Sequence, residues 1–188
     1  MPEVRDANEY QRQGRRTWTT DSHPSLTRGW ELIRDIEKAA DLLDSSLDQH
    51  KRALFYGDDT AKVLRGPAGR DHILEGISDE EWELIHAALG IATEAGEILD
   101  QLLSLFAGGR DLDVKNLREE GGDVAYYLAR LADVTGTTLL AMMQANHRKL
   151  AERFPEKFTQ QDALVRNTDA EMAALDNDGL GDEPVLAQ

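Results

Sequence analysis

Apolar residues recur at three- and four-residue steps along most of this chain, and no stretch alternates with the period of two that a half-buried strand requires. That periodicity predicts an all-α fold. Ile33, Ile36, Ala40, Leu43, Leu47 and Leu54 mark a first helix from about Leu26 to Tyr56. Trp82, Ile85, Leu89, Ala92, Leu99, Leu103 and Phe106 mark a second, opened by the capping pair Ser78 and Glu81 and closed by Gly108-Gly109. A third runs from near Asp113 to Val134, and a fourth from Thr138 to Arg153, where Pro155 stops it. A shorter fifth is expected from Gln160 to Leu175. With 188 residues, 40% of them hydrophobic, the chain supports one domain with a single core of ordinary size.

The remaining segments read differently. Residues 1–25 are polar and aperiodic, an arm expected to order only on docking, while residues 26–175 form the helical domain. The Gly, Pro and Asp content of residues 57–76 predicts a loop, and the acidic end, 176–188, a disordered tail. The first helix carries a heptad-like stripe, so the four- to five-helix bundle is expected to be completed by oligomerisation.

Two short segments do not fit a purely structural helix. "EAGEILDQL", from Glu94, and "REEGGDVAYY", from Arg118, place four carboxylates in otherwise apolar surroundings. Glu94 and Glu97 lie one turn apart on the face that also carries Glu83, Gly90 and Gln101, whereas Glu120 and Asp123 share a face with Asn116, Tyr127 and Arg130. Both pairs border an apolar stripe and are flanked by glycine. The bland reading of one such pair is a solvated helix face; two pairs so placed would repel one another unless a cation neutralised them. Hard oxygen ligands of this kind suit Mg²⁺, with Mn²⁺ as a substitute. A di-iron helical bundle would need two ExxH pairs, and only Glu83 to His86 has that spacing.

In order, "GIATEAGEILD", "NLREEGGDVAYYLARLADVTG" and "NHRKLAERFPEKF" resemble the MazG-like all-α nucleoside triphosphate pyrophosphohydrolases, the superfamily that includes dimeric dUTPases, over roughly residues 80–166. The resemblance implies hydrolysis of a (d)NTP to (d)NMP and pyrophosphate, with Glu94, Glu97, Glu120 and Asp123 as catalytic metal ligands. It also implies substrate contacts from Asn146 and Lys149, which share a helical face with Arg153. His86 and Tyr127 are further substrate-binding candidates, with a packed structural role as the alternative for each. Thr93 stands where some relatives carry a further Glu, and Gly121 where a larger aliphatic residue is usual.

Charge narrows the partners. Lys and Arg number 21 against 36 Asp and Glu, a net charge of −15, which argues against a broad nucleic-acid or anionic-membrane footprint. Cysteine is absent, no apolar run approaches the roughly 18 residues of a membrane span, and the N-terminus has no signal-peptide pattern, so a cytoplasmic location, or the host cytoplasm for a phage protein, is expected. The competing class is a helical nucleotide-binding or interaction protein that keeps such a fold without catalysis.

Overall fold

The computed structural model describes residues 4–17, 26–56, 77–106, 109 and 111–175. Within them the chain is helical and carries no strand. The segments expected to be the 57–76 loop and the 176–188 tail lie outside the described residues. Two compact units are formed, Pro24–Val134 and the pairing of Met1–His23 with Thr135–Gln188.

The larger unit is built from three stretches of helix. Its first runs from α2 (Leu26–Ala40) through a π-helical segment (Asp41–Leu47) into α3 (Asp48–Phe55). The expected first helix is therefore present, with an unexpected change of winding in its middle. α4 (Asp79–Phe106) and α5 (Val114–Val134) follow. The expected capping box opens α4: Glu81 N–H donates to Ser78 Oγ at 3.2 Å, and Ser78 N–H donates to Glu81 Oε2 at 2.7 Å. Gly109, at φ 60°, supplies a left-handed residue between α4 and α5. α5 starts on Asp113, whose Oδ1 accepts from the Lys115 and Asn116 amides.

Cross-contacts fix the directions. Glu83 pairs with Arg130 and Gly90 meets Tyr127, so α4 and α5 are antiparallel. Phe55 meets Trp82 and His86 while Lys51 meets Thr93, so α3 is antiparallel to α4 as well. The buried apolar side chains of this unit are mostly small, Ala40, Ala87 and Ala132 beside Tyr127. Small residues let helix axes approach closely, which is what brings polar side chains of different helices together here. No described helix is long and apolar enough to cross a membrane.

The second unit contains a helix where an unstructured arm was expected. α1 (Ala7–Gly14) starts on Asp6, whose Oδ1 accepts from Glu9 N–H at 2.8 Å, while Glu9 Oε2 accepts from Arg5 N–H. It packs on α6 (Leu139–Arg153), with Gln144 Nε2 donating to the Val4 carbonyl and Asn146 Nδ2 to the Tyr10 hydroxyl. The fifth helix is split into α7 (Gln160–Leu164) and α8 (Thr168–Leu175). Thr159 caps the first of these and Asn167 the second.

Glu171, almost wholly buried on α8, accepts from Arg153 Nε at 2.9 Å and from Arg166 Nη2 at 2.6 Å. Hydrogen bonds from these two guanidinium groups hold its pKa down at about 2, against an ordinary 4.5. A depressed carboxylate pKa contributes stability that is complete above pH 4.5 and is lost as pH falls toward 2. Glu171→Gln is thus expected to lower the melting temperature at neutral pH and to flatten its fall between pH 4.5 and 2. Thermal melts followed by circular dichroism across that range test this, and parallel pH curves for parent and variant would refute it.

Candidate metal centre

The α4–α5 seam is set by one close approach. A Cβ built on Gly90 would lie 2.2 Å from Tyr127 Cδ1, so the aromatic ring lies directly on the glycine backbone. Tyr127 is buried there, its hydroxyl 3.1 Å from that of Tyr56, which also reaches His86 Nε2 at 3.4 Å. His86 stacks on Phe55 with ring centroids 4.1 Å apart. Burial, followed by the positive charge of Arg130, lowers the His86 pKa and favours the neutral ring. Burial, with the Tyr56 hydrogen bond, raises that of Tyr127. Both expected substrate-binding residues are therefore packed into an aromatic cluster between α3, α4 and α5.

About one turn further along, the same seam gathers acids. Glu94, Glu97 and Glu120 each offer a carboxylate oxygen, and the three atoms lie within 4.8 Å of one another. Glu94 and Glu120 are buried and Glu97 partly so. Asn116 Nδ2 donates to Glu120 Oε1. Even so, burial first and the charges of Glu94, Asp123 and Glu119 after it raise the Glu120 pKa, as expected of a carboxylate among carboxylates. Asp123, one turn on, is exposed and stands outside this trio. Gly121 and Gly122 do not serve a close approach: a Cβ at either meets nothing within 4 Å.

Lys51 completes the centre and was not singled out from the sequence. Its side chain is almost wholly buried, with Nζ 2.7 Å from Thr93 Oγ1, 3.0 Å from Glu94 Oε1 and 3.3 Å from Asp48 Oδ1. The ammonium also lies 5.5 Å from the Tyr127 ring centroid. Burial alone pulls the Lys51 pKa down, but the hydrogen bond and charge of Glu94, helped by Asp48, carry it above the ordinary 10.5, so the side chain is a cation. A signal for it was present. Lys51 falls four residues after Leu47 and three before Leu54, inside the apolar stripe of the first helix. Thr93, 0% exposed, donates its own hydroxyl to the Gly90 carbonyl at 3.0 Å while receiving Lys51.

The other expected substrate contacts belong to the second unit. Asn146 donates to Tyr10, Arg153 is committed to Glu171, and Lys149 is half-buried on α6. In comparisons with models of protein families, with curated proteins and with solved structures, the chain finds no match.

The donor set is chemically selective. Three carboxylates with no imidazole or thiolate in the group fit a hard divalent cation such as Mg²⁺ or Mn²⁺ better than a softer metal. The seam that presents them tolerates little change. Gly90→Ala improves local helix propensity yet must displace the Tyr127 ring, and overpacking of this kind costs about 1–3 kcal/mol. Urea denaturation should show that loss, and Tyr127→Leu in the Gly90→Ala background should recover part of it. A stabilised Gly90→Ala protein would contradict the tight seam.

Proposed function

We propose that this chain is a Mg²⁺-dependent nucleotide pyrophosphohydrolase, cleaving a (d)NTP to (d)NMP and pyrophosphate by attack of water at the α-phosphorus. The reading rests on the gathering of Glu94, Glu97 and Glu120 within 4.8 Å across two antiparallel helices. An acidic protein of net charge −15 repels a triphosphate, and a concentrated all-carboxylate centre offers a place where cations can reverse that sign locally. Bound there, Mg²⁺ would offset phosphate charge and lower the pKa of an attacking water. The residues supply the rest. Glu94, Glu97 and Glu120 would hold the cation and Asp123, exposed beside them, would join them on binding. A carboxylate of this group would accept the proton of the water. Asn146 and Lys149 are proposed as further phosphate and sugar contacts, on the strength of the "NHRKLAERFP" resemblance. Arg153 is a weaker choice because Glu171 already occupies its guanidinium.

Exposed Leu32, Leu42 and Leu54 on the first helix, beside a core of mainly small residues, support the further proposal that a second copy of the chain covers that helix in a homodimer or homotetramer.

A panel of (d)NTPs assayed for monophosphate and pyrophosphate tests the activity. Glu97→Gln, Glu94→Gln and Glu120→Gln keep side-chain size while removing a ligand charge, and each should lower kcat on the order of 100-fold or more. Glu97→Gln and Glu120→Gln should leave the fold intact, since relief of like-charge repulsion offsets the change, whereas Glu94→Gln also strips buried Lys51 of its partner and should lower stability. EDTA should stop turnover and Mg²⁺ or Mn²⁺ restore it. Orthophosphate as the first product, or parental turnover by Glu97→Gln, would refute the assignment; tight nucleotide binding without turnover would point to a helical binding protein instead.

A further inference from the structure

Lys51 and a divalent cation make competing demands on one carboxylate. The ammonium is buried at the acidic centre and depends on Glu94 Oε1, 3.0 Å away, for most of its compensation. Glu94 also belongs to the trio whose oxygens could hold a metal. A cation that takes up the charge of Glu94 leaves the ammonium buried beside a like charge, with Asp48 at 3.3 Å as its remaining ion pair among the described residues. Such an arrangement opposes metal binding on its own.

A cleft that Lys51 lines offers relief. Lys51 lines an open cleft of about 440 Å³ together with Asp48, Arg52 and Tyr56. That volume falls in the range of ligand pockets, roughly 300–1,000 Å³. Among the described residues of its lining, Lys51 and Arg52 are cationic, and Tyr56 offers a half-exposed ring. An anion entering the cleft would have Lys51 and Arg52 on the wall around it. A polyphosphate fits this requirement by carrying several charges that reach both Lys51 and the metal.

We propose that Lys51 couples the two ligands of this site: its ammonium pairs with Glu94 in the free protein, disfavours a divalent cation alone, and turns to the polyphosphate chain of a nucleotide that arrives in the cleft. The inference rests on the metal-dependent reading above and adds an order to it. Metal and nucleotide bind weakly apart and strongly together, and by linkage each raises the affinity of the other by the same factor. The device keeps the centre from filling with cations that have no substrate to act on.

The test measures binding rather than turnover. Mn²⁺ affinity is measured by calorimetry and by electron paramagnetic resonance, first with no nucleotide and then with the non-cleavable α,β-methylene analogue of dUTP, and repeated with dATP and dGTP analogues. In Lys51→Met, which removes the charge at similar length, Mn²⁺ alone should bind about tenfold more tightly than in the parent. Its enhancement by the analogue should shrink by a comparable factor. Lys51→Arg should keep the parental values, and Lys51→Gln provides a second neutral variant if Lys51→Met does not fold. A lysine that merely anchors Glu94 gives the opposite sign, with weaker Mn²⁺ binding once the anchor is gone. Unchanged or weaker Mn²⁺ binding in the folded neutral variants overturns the coupling and leaves the metal centre standing. A parent chain that binds no Mn²⁺ with or without the analogues overturns the metal centre and the coupling together.

Discussion

Three carboxylates within 4.8 Å, two of them buried, repel one another, and the ammonium of Lys51, buried against Glu94, offsets part of that repulsion. Exposed ion pairs of this type contribute about 0–1 kcal/mol, whereas removing one partner from a buried pair costs about 3–5 kcal/mol because the other charge is left uncompensated. The Lys51–Glu94 contact belongs to the second kind, with both side chains about a tenth exposed or less. It joins α3 to α4 at the level where α5 brings in Glu120, so all three helix segments of the larger unit meet around this buried ion pair. Most fully buried apolar groups around them are alanines, whose contribution to cohesion is small.

The polar and aromatic layers depend on each other. Tyr127 can lie against Gly90 only because no Cβ intervenes, and that contact sets how near α5 comes to α4. The same ring faces Lys51 and, through Tyr56, reaches His86. A change in the aromatic cluster is therefore transmitted to the spacing of the carboxylates about one turn away. In the other unit the buried charge is held differently. Glu171 is enclosed by two guanidinium groups on nearby segments of chain, a bidentate arrangement that leaves little for either arginine to do elsewhere.

Local signals carried much of this into the sequence. Period, capping residues and breakers located the first helix, α4, α5 and α6 closely, because each has a long apolar stripe and a recognisable start or stop. The gathering of Glu94, Glu97 and Glu120 followed from their placement on faces beside those stripes. What was not legible depended on partners remote in the chain. Lys51 sat in an apolar stripe, yet only the fold shows which acid it meets, forty-three residues away. Arg153 looked available until α8 brought Glu171 to it. α1 was short and polar, and its "DANE" capping signal was outweighed by the surrounding absence of periodicity. Asp123 shares a helix face with Glu120, and only the fold shows that it is exposed while Glu120 is buried.

The π-helical segment at Asp41–Leu47 acts as a phase shifter. In a regular helix each residue advances about 100°, and a π segment accommodates an extra residue without carrying the following stretch around by that amount. The two ends of the first helix can thus present different faces to the same neighbour, α2 and α3 both packing on α4. Loss of one residue from "DLLDSSL" would let the segment rewind as regular α-helix, so α3 would keep its facing and Lys51 its contact with Glu94. A single-codon deletion there would be absorbed, whereas the same deletion between Asp48 and Lys51, in regular helix, would turn the ammonium about 100° away from Glu94.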